Sequence, residues 1–318
     1  MKRTITSYCT LLCAAWLCVA CGNQPKSAIA TVENTSPQVE AEVRFTPAMP
    51  PAMMPEEQHQ AYMVEHYWDT FDFTDTTFLA KVDQQQMLLS YVVYVAGYVT
   101  DSVAHSAMSR LMQRASTSRR MFDYFLSMAE FVLHDPNSQY RSDEKYIPVL
   151  EAVLASPYYD EHERLPYQYD LQIAQQNRIG RKANDFTYTL ASGRSDRMSN
   201  IKSDYLLIFI SNPGCEMCRA VREQILSSPM LNTLIEQSRL KILVIYPDED
   251  LALWREHSDD YPSSWINAYD KGLTITNQRL YDLKAIPALY LLDEEKRVMA
   301  KDCTDVEQIE RLIMQAEE

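Results

Sequence analysis

The sequence predicts a helical bundle followed by an α/β unit: an α + α/β chain whose second part is a central mixed sheet flanked by helices. Three observations carry this expectation. From Glu56 to about Arg178, apolar residues recur at helical spacing with no strand-like alternation. From Ala183 onward, short apolar runs alternate with helical segments, an ordering that yields parallel strands joined by crossover helices. Only 6 glycines stand against 20 tyrosines and 15 methionines, which leaves little material for a fold of many tight turns. A length of 318 residues suits two domains, and 46% hydrophobic residues suffice for two cores. The formal net charge of -14 argues against a nucleic-acid partner and offers no basic patch for anionic lipid.

Residues 1–20 are expected to be a signal peptide rather than structure. Lys2 and Arg3 form a basic start, Ile5 to Val19 is mostly apolar, and Ala20 is the small residue before Cys21. The run is too short and wrongly flanked to span a bilayer. Leu17-Cys18-Val19-Ala20-Cys21 resembles the lipobox of bacterial lipoprotein precursors, with Cys18 at the position where Leu is usual. That resemblance implies a palmitate-bearing lipid anchor on Cys21. The protein would then be tethered to a membrane of the cell envelope, facing the periplasm or the cell surface. The plainer alternative is an ordinary cleaved signal. Residues 21–55 read as a flexible linker, polar at first and then rich in proline (Pro37, Pro47, Pro50, Pro51, Pro55).

Residues 56–180 form the expected helical domain of five or six helices. Glu56–Trp68 is amphipathic. Asp83–Met112 is long and apolar, with a break expected near Gly97. Arg119–Leu133 carries the stripe Met121, Phe122, Phe125, Met128, Ala129, Val132 and is stopped by Asp135-Pro136. Tyr146–Leu154 and Asp160–Asn177 complete the set. The aromatics around His66, Tyr67, Trp68, Phe71 and Phe73 have two readings, a binding surface or a core. The burial tendency of aromatic residues favours the core.

Residues 181–318 carry the α/β pattern. Strands are expected at Phe186–Leu190, Tyr205–Ile210, Lys241–Tyr246, Ala288–Leu292 and Arg297–Ala300. Helices are expected at Glu216–Leu226, Pro229–Glu236, Leu251–His257, Asn277–Tyr281 and Asp305–Ala316. Asp293-Glu294-Glu295-Lys296 turns the last two strands into an antiparallel hairpin.

The chemistry concentrates between Asp204 and Arg222. The apolar run Tyr205–Ile210 leads into Asn212-Pro213-Gly214, and Cys215-Glu216-Met217-Cys218 then opens a helix. The i, i+3 spacing puts both sulfurs on one helical face, within reach of a Cys215–Cys218 disulfide. The helix N-terminus favours a thiolate at Cys215, the more exposed sulfur and the expected attacking thiol. Cys218, one turn inward, is the expected resolving thiol. Half a zinc site is the competing reading. Four ligands are usual, yet after position 21 only Cys303 remains among the 7 cysteines, and His257 stands alone. No metal and no cofactor are therefore expected. A structural disulfide is the third reading, which the strand–turn–helix context disfavours.

This ordering, with Cys215-x-x-Cys218 after the central strand and Ile286-Pro287-Ala288 before the hairpin, resembles the thioredoxin fold. More narrowly it resembles the TlpA/ResA-like thiol–disulfide proteins, whose entry strand often reads like Ala183-Asn184-Asp185-Phe186. The stretch His66-Tyr67-Trp68-Asp69-Thr70-Phe71-Asp72-Phe73-Thr74-Asp75 resembles DUF5106, a domain of unknown function found in Bacteroidetes lipoproteins. The resemblance implies that Pro287 is cis and lies against the sulfurs, and that Ile286, Pro287 and Gly214 face the substrate. The chain departs from relatives at Gly214, where Trp is usual, and at Phe209, where thioredoxin has a buried acid. Glu216 between the cysteines opposes a thiolate. Cys303, expected just past the last strand, reads as a bystander.

Two functions are expected on these grounds. The first is an envelope-tethered thiol–disulfide oxidoreductase, with protein disulfides or dithiols as substrates and an electron-transfer partner. The second is a non-catalytic lipoprotein that binds a partner or a glycan and uses the second domain as a scaffold.

Overall fold

The computed structural model describes residues 45–80 and 82–317. The signal segment, Cys21 and most of the expected linker lie outside the described residues. Arg44–Glu318 is one compact unit.

Six α-helices fill the described N-terminal part: α1 Glu56–His66, α2 Val82–Tyr98, α3 Asp101–Ala115, α4 Arg119–Ala129, α5 Asp143–Ala155 and α6 Glu161–Ala174. The break expected near Gly97 falls at Val99-Thr100, with Thr100 in extended geometry as the residue before α3. Ser118 caps α4 by accepting a hydrogen bond from the Met121 N–H at 3.3 Å. Of the predicted apolar stripe, Met121, Phe122, Phe125, Ala129 and Val132 are buried and Met128 is half-buried, and a π-helical turn, Glu130–His134, prolongs the helix.

Asp160 and Glu163 close a reciprocal capping box on α6, each side chain accepting the other's backbone N–H at 2.9 Å. Asp160→Ala removes one half of it, and the urea midpoint should fall by the equivalent of about 1 kcal/mol. An unchanged midpoint would mean that packing alone holds the helix start.

Trp68 decides the aromatic question in favour of the core. It is 3% exposed and stacks on Phe45 at 5.6 Å, with Phe71, Phe73 and Phe125 at 5.5, 5.8 and 5.3 Å. Phe45 also corrects the expected linker. The described end of residues 21–55 is pinned to the bundle, because an aromatic ring gains more by entering this cluster than by staying in water.

The C-terminal part is a seven-stranded sheet: β1 Thr187–Leu190, β2 Ser195–Arg197, β3 Tyr205–Ile210, β4 Leu240–Tyr246, β5 Ile266–Tyr269, β6 Ala288–Leu292 and β7 Val298–Cys303, in the order β2-β1-β5-β4-β3-β6-β7. β3, β4 and β5 run parallel, while β6 and β7 form one antiparallel edge and β1 and β2 the other. Helices α7 Glu216–Ser227, α8 Pro229–Glu236, α9 Leu251–Glu256, α10 Thr274–Asn277 and α11 Val306–Glu317 complete it. β3 is buried at every position, as a near-continuous apolar run requires of a central strand covered on both faces.

Sequence reasoning missed β2 and β5 and set one helix too late. α10 begins at Thr274 because the Asp270 carboxylate accepts the Ile275 N–H at 2.7 Å, and Arg279 at φ 54 prevents a helix over Asn277–Tyr281. Cys303 is the last residue of β7 rather than a residue beyond it.

Polar contacts bind the bundle to the sheet. Lys301 of β7 donates to the carbonyls of Ala174 and Gln176 at the end of α6, at 2.9 and 2.7 Å, and pairs with Asp143 at 2.7 Å. Arg141 pairs with Asp282 at 2.8 Å and with Asp302. Lys284 reaches His134 at 2.5 Å and Asp170 at 3.4 Å. Asp282 and Lys284 belong to the segment that leads to Ile286-Pro287, so residues of the bundle grip it.

Candidate active site

β3 ends at Ile210, and the chain turns through Ser211 to Gly214 before α7 begins. Gly214 holds φ +71, the left-handed region that glycine enters at least cost. Nothing lies within 4 Å of the Cβ it lacks, so the requirement here is conformational rather than steric.

Cys215 is the N-cap of α7. Its Sγ accepts the Cys218 N–H at 3.2 Å and lies 3.8 Å from the Ile286 carbonyl oxygen, to which the thiol can donate. The Ile286-Pro287 bond is cis. Two elements far apart in sequence, the start of α7 and the segment before β6, therefore meet at one sulfur. Both cysteines are free thiols in this structure, so the expected disulfide stands here as a dithiol.

The two sulfurs differ in environment. Cys215 is part-exposed, whereas Cys218 is 2% exposed. Burial pushes the Cys218 thiol up to about 11, and the Cys215 sulfur adds to this, while the Asn212 backbone and the Ser211 hydroxyl favour its anion. Glu216, expected to oppose a thiolate, has a carboxylate 87% exposed and engaged by Arg219 at 3.7 Å. Its charge is held in solvent, where screening weakens it. Phe209 is fully buried, so no acid stands at that position of β3.

A cavity of about 300 Å³ opens beside the pair. Ser211, Cys215, Cys218, Arg222, Trp254 and Tyr261 are among its walls. Tyr261 closes one side, its hydroxyl 2.6 Å from Ser211 Oγ and its ring under the Arg222 guanidinium at 5.4 Å. Sequence reasoning missed Ser211, Arg222 and Tyr261. Ser211, directly after the central strand, could have been flagged; an isolated tyrosine after Asp259-Asp260 carries no signal of its own.

Cys303 is a different kind of thiol. Burial pushes it up to about 12, and its sulfur lies 3.7 Å from the Asp305 carbonyl. A thiol so disposed is a poor nucleophile. Among the described residues, no group of three or more His, Cys, Asp or Glu side chains is arranged to hold a metal ion.

The family described as a domain of unknown function (DUF5106) matches residues 20–177. No curated protein matches the chain. Among solved structures, the chain is similar to a thioredoxin-like protein from Bacteroides caccae: 42% identical, covering 86% of this chain and 99% of that one, with a TM-score of 0.81. The C-terminal domain of an uncharacterised protein from Bacteroides fragilis is 45% identical, covering 43% of this chain and 98% of that one, with a TM-score of 0.42. The thioredoxin domain of a thiol–disulfide oxidoreductase from Bacteroides vulgatus is 19% identical, covering 43% of this chain and 98% of that one, with a TM-score of 0.38.

Proposed function

Since the chain belongs with the thioredoxin-like proteins and its residues 20–177 match DUF5106, we propose that it is a thiol–disulfide oxidoreductase acting through Cys215 and Cys218. One observation carries the reading: a part-exposed thiol at a helix start, with an amide N–H on one side and the Ile286 carbonyl on the other, one turn from a buried second thiol. Cys215 attacks a substrate disulfide and forms a mixed disulfide. Cys218 then attacks the Cys215 sulfur, closing the intramolecular disulfide and releasing the substrate thiol. The backbone at Ile286-Pro287, with Gly214 across from it, is the surface offered to the substrate chain. Substrates in this reading are protein disulfides or dithiols, and a second protein restores the dithiol or the disulfide.

The reading also takes the protein as exported and held to a bacterial membrane by lipid on Cys21, outside the described residues. Its support is the basic start, the apolar run and the Leu17–Cys21 pattern.

The test is the reduction potential of the Cys215–Cys218 couple in the full chain, by equilibration with thiol–disulfide buffers. A reversible couple between about −120 and −270 mV is expected, the range of known exchange proteins. Absence of a reversible couple would remove the redox reading altogether.

A further inference from the structure

Exchange through Cys215 and Cys218 leaves one chemical need unmet. Cys218 must lose its proton before it can attack Cys215, yet it is 2% exposed and Phe209 supplies no acceptor. Hydroxyl groups line the cavity with that thiol. Ser211, itself 2% exposed, stands beside Cys218, and its hydroxyl favours the Cys218 anion. Ser211 Oγ in turn lies 2.6 Å from the Tyr261 hydroxyl. Cys218, Ser211 and Tyr261 all line the same cavity of about 300 Å³.

Resting on the exchange function, we propose that Ser211 and Tyr261 form a hydroxyl relay that carries the Cys218 proton to solvent in this cavity while the mixed disulfide is being resolved. The Ser211 oxygen accepts the proton from Cys218 Sγ and gives its own to the Tyr261 oxygen. Tyr261 releases its own proton to water in the cavity. The Cys218 thiolate then forms the S–S bond to Cys215, and the bond between Cys215 and the substrate sulfur breaks. The substrate leaves as a thiolate and takes up a proton from solvent. Overall the two protein thiols are oxidised by one substrate disulfide, which is reduced to two thiols. Ser211 shares the cavity wall with Cys218 and is the first acceptor; Tyr261 acts through it and is a positioning residue.

The surroundings suit a neutral relay. Tyr261 is held by Arg222 over its ring at 5.4 Å and by an edge contact with Phe209 at 6.1 Å. Cys215, Arg222 and Asp260 stand around the pair, with His257 joined to Asp260 at 3.0 Å, and Glu216, Arg219 and Tyr246 line the same cavity. Arg222 and Asp260 lie 3.7 Å apart, so opposite charges flank the tyrosine. Burial and the Cys218 sulfur raise the Tyr261 hydroxyl above its usual range, which keeps it protonated and able to both give and receive a proton.

Tyr261→Phe removes the hydroxyl and keeps the ring under Arg222. In the full-length reduced protein, reaction with 5,5′-dithiobis(2-nitrobenzoate) releases one thiolate when Cys215 attacks and a second when Cys218 resolves. With Tyr261→Phe the second phase should slow about tenfold at neutral pH, and its rise with pH should move to higher pH, while the first phase is unchanged. Ser211→Ala should show the same split, and Ser211→Thr should restore the second phase. A normal second phase with an unshifted pH profile in Tyr261→Phe overturns the relay while leaving the exchange chemistry standing. Absence of any second phase in the unaltered protein overturns the relay together with the function on which it rests.

Discussion

Arg141→Met is expected to destabilise the protein by about 3–5 kcal/mol, the usual result of removing one partner from a buried ionic network. The Arg141 side chain is 12% exposed, and its partners Asp282 and Asp302 are 9% and 7% exposed. Lys301 and Asp143 stand next to them, so two cations face three carboxyls. Burial first, and then the neighbouring carboxylates, push the Asp302 carboxyl up to about 8 despite Arg141. With the guanidinium gone, two buried carboxyls face each other and both must protonate or draw in water. Urea unfolding should show the loss, with a fall in melting temperature of roughly 10 °C for a unit of this size. A loss below about 1 kcal/mol, the worth of a surface ion pair, would mean that the network is solvated.

The same network gives stability a pH dependence. Because the Asp302 carboxyl is raised in the folded protein, its contribution is fully present below its unfolded value near 4, and is lost as pH rises through about 8. The unaltered protein should therefore be more stable at pH 6 than at pH 9 as far as this group decides it.

The second large effect concerns the cysteines. Cys215→Ser should abolish exchange with a disulfide substrate by at least about 10³-fold, because no second nucleophile among the described residues is placed to take over. Cys218 is buried and pushed up to about 11, and Cys303 up to about 12. Cys218→Ser should behave differently: the first attack proceeds and the protein accumulates as a mixed disulfide, visible as a mass increase that reductant reverses. Equal activity in the two variants would exclude the assignment of attack to Cys215 and resolution to Cys218.

The frame was legible because its central elements advertise themselves. Tyr205–Ile210 is apolar throughout, and Cys215-x-x-Cys218 comes directly after a turn, so both strand and site could be placed from sequence alone. Arg119–Leu133 was equally plain, since every third or fourth residue is apolar. β2 was invisible because Ser195-Asp196-Arg197 is a polar edge strand with no buried face to pattern it. β5 was hidden for another reason: Asn267 interrupts its short run, and pairing with β4 on one side and β1 on the other makes Ile266–Tyr269 a strand. The pairing of Arg141 with Asp282 and Asp302, and that of Ser211 with Tyr261, join residues far apart in sequence. No local period or spacing encodes such contacts; they exist once the sheet has formed.

The grip of the bundle on the segment before Ile286 has a consequence for how a substrate must approach. Asn177 and Asn184 both donate to the Leu280 carbonyl, at 2.7 and 3.0 Å, and Lys301 holds the end of α6. The connector between the helices and the sheet is thus tied at several points. These ties brace the helical part against the segment that carries Ile286, whose carbonyl faces the Cys215 sulfur. A disulfide embedded in a rigid partner would have to be unwrapped before it reached Cys215, whereas one in a loose or unfolded segment could thread straight in. In the proposed exchange reaction, a braced Ile286 segment puts the demand for adaptation on the substrate chain.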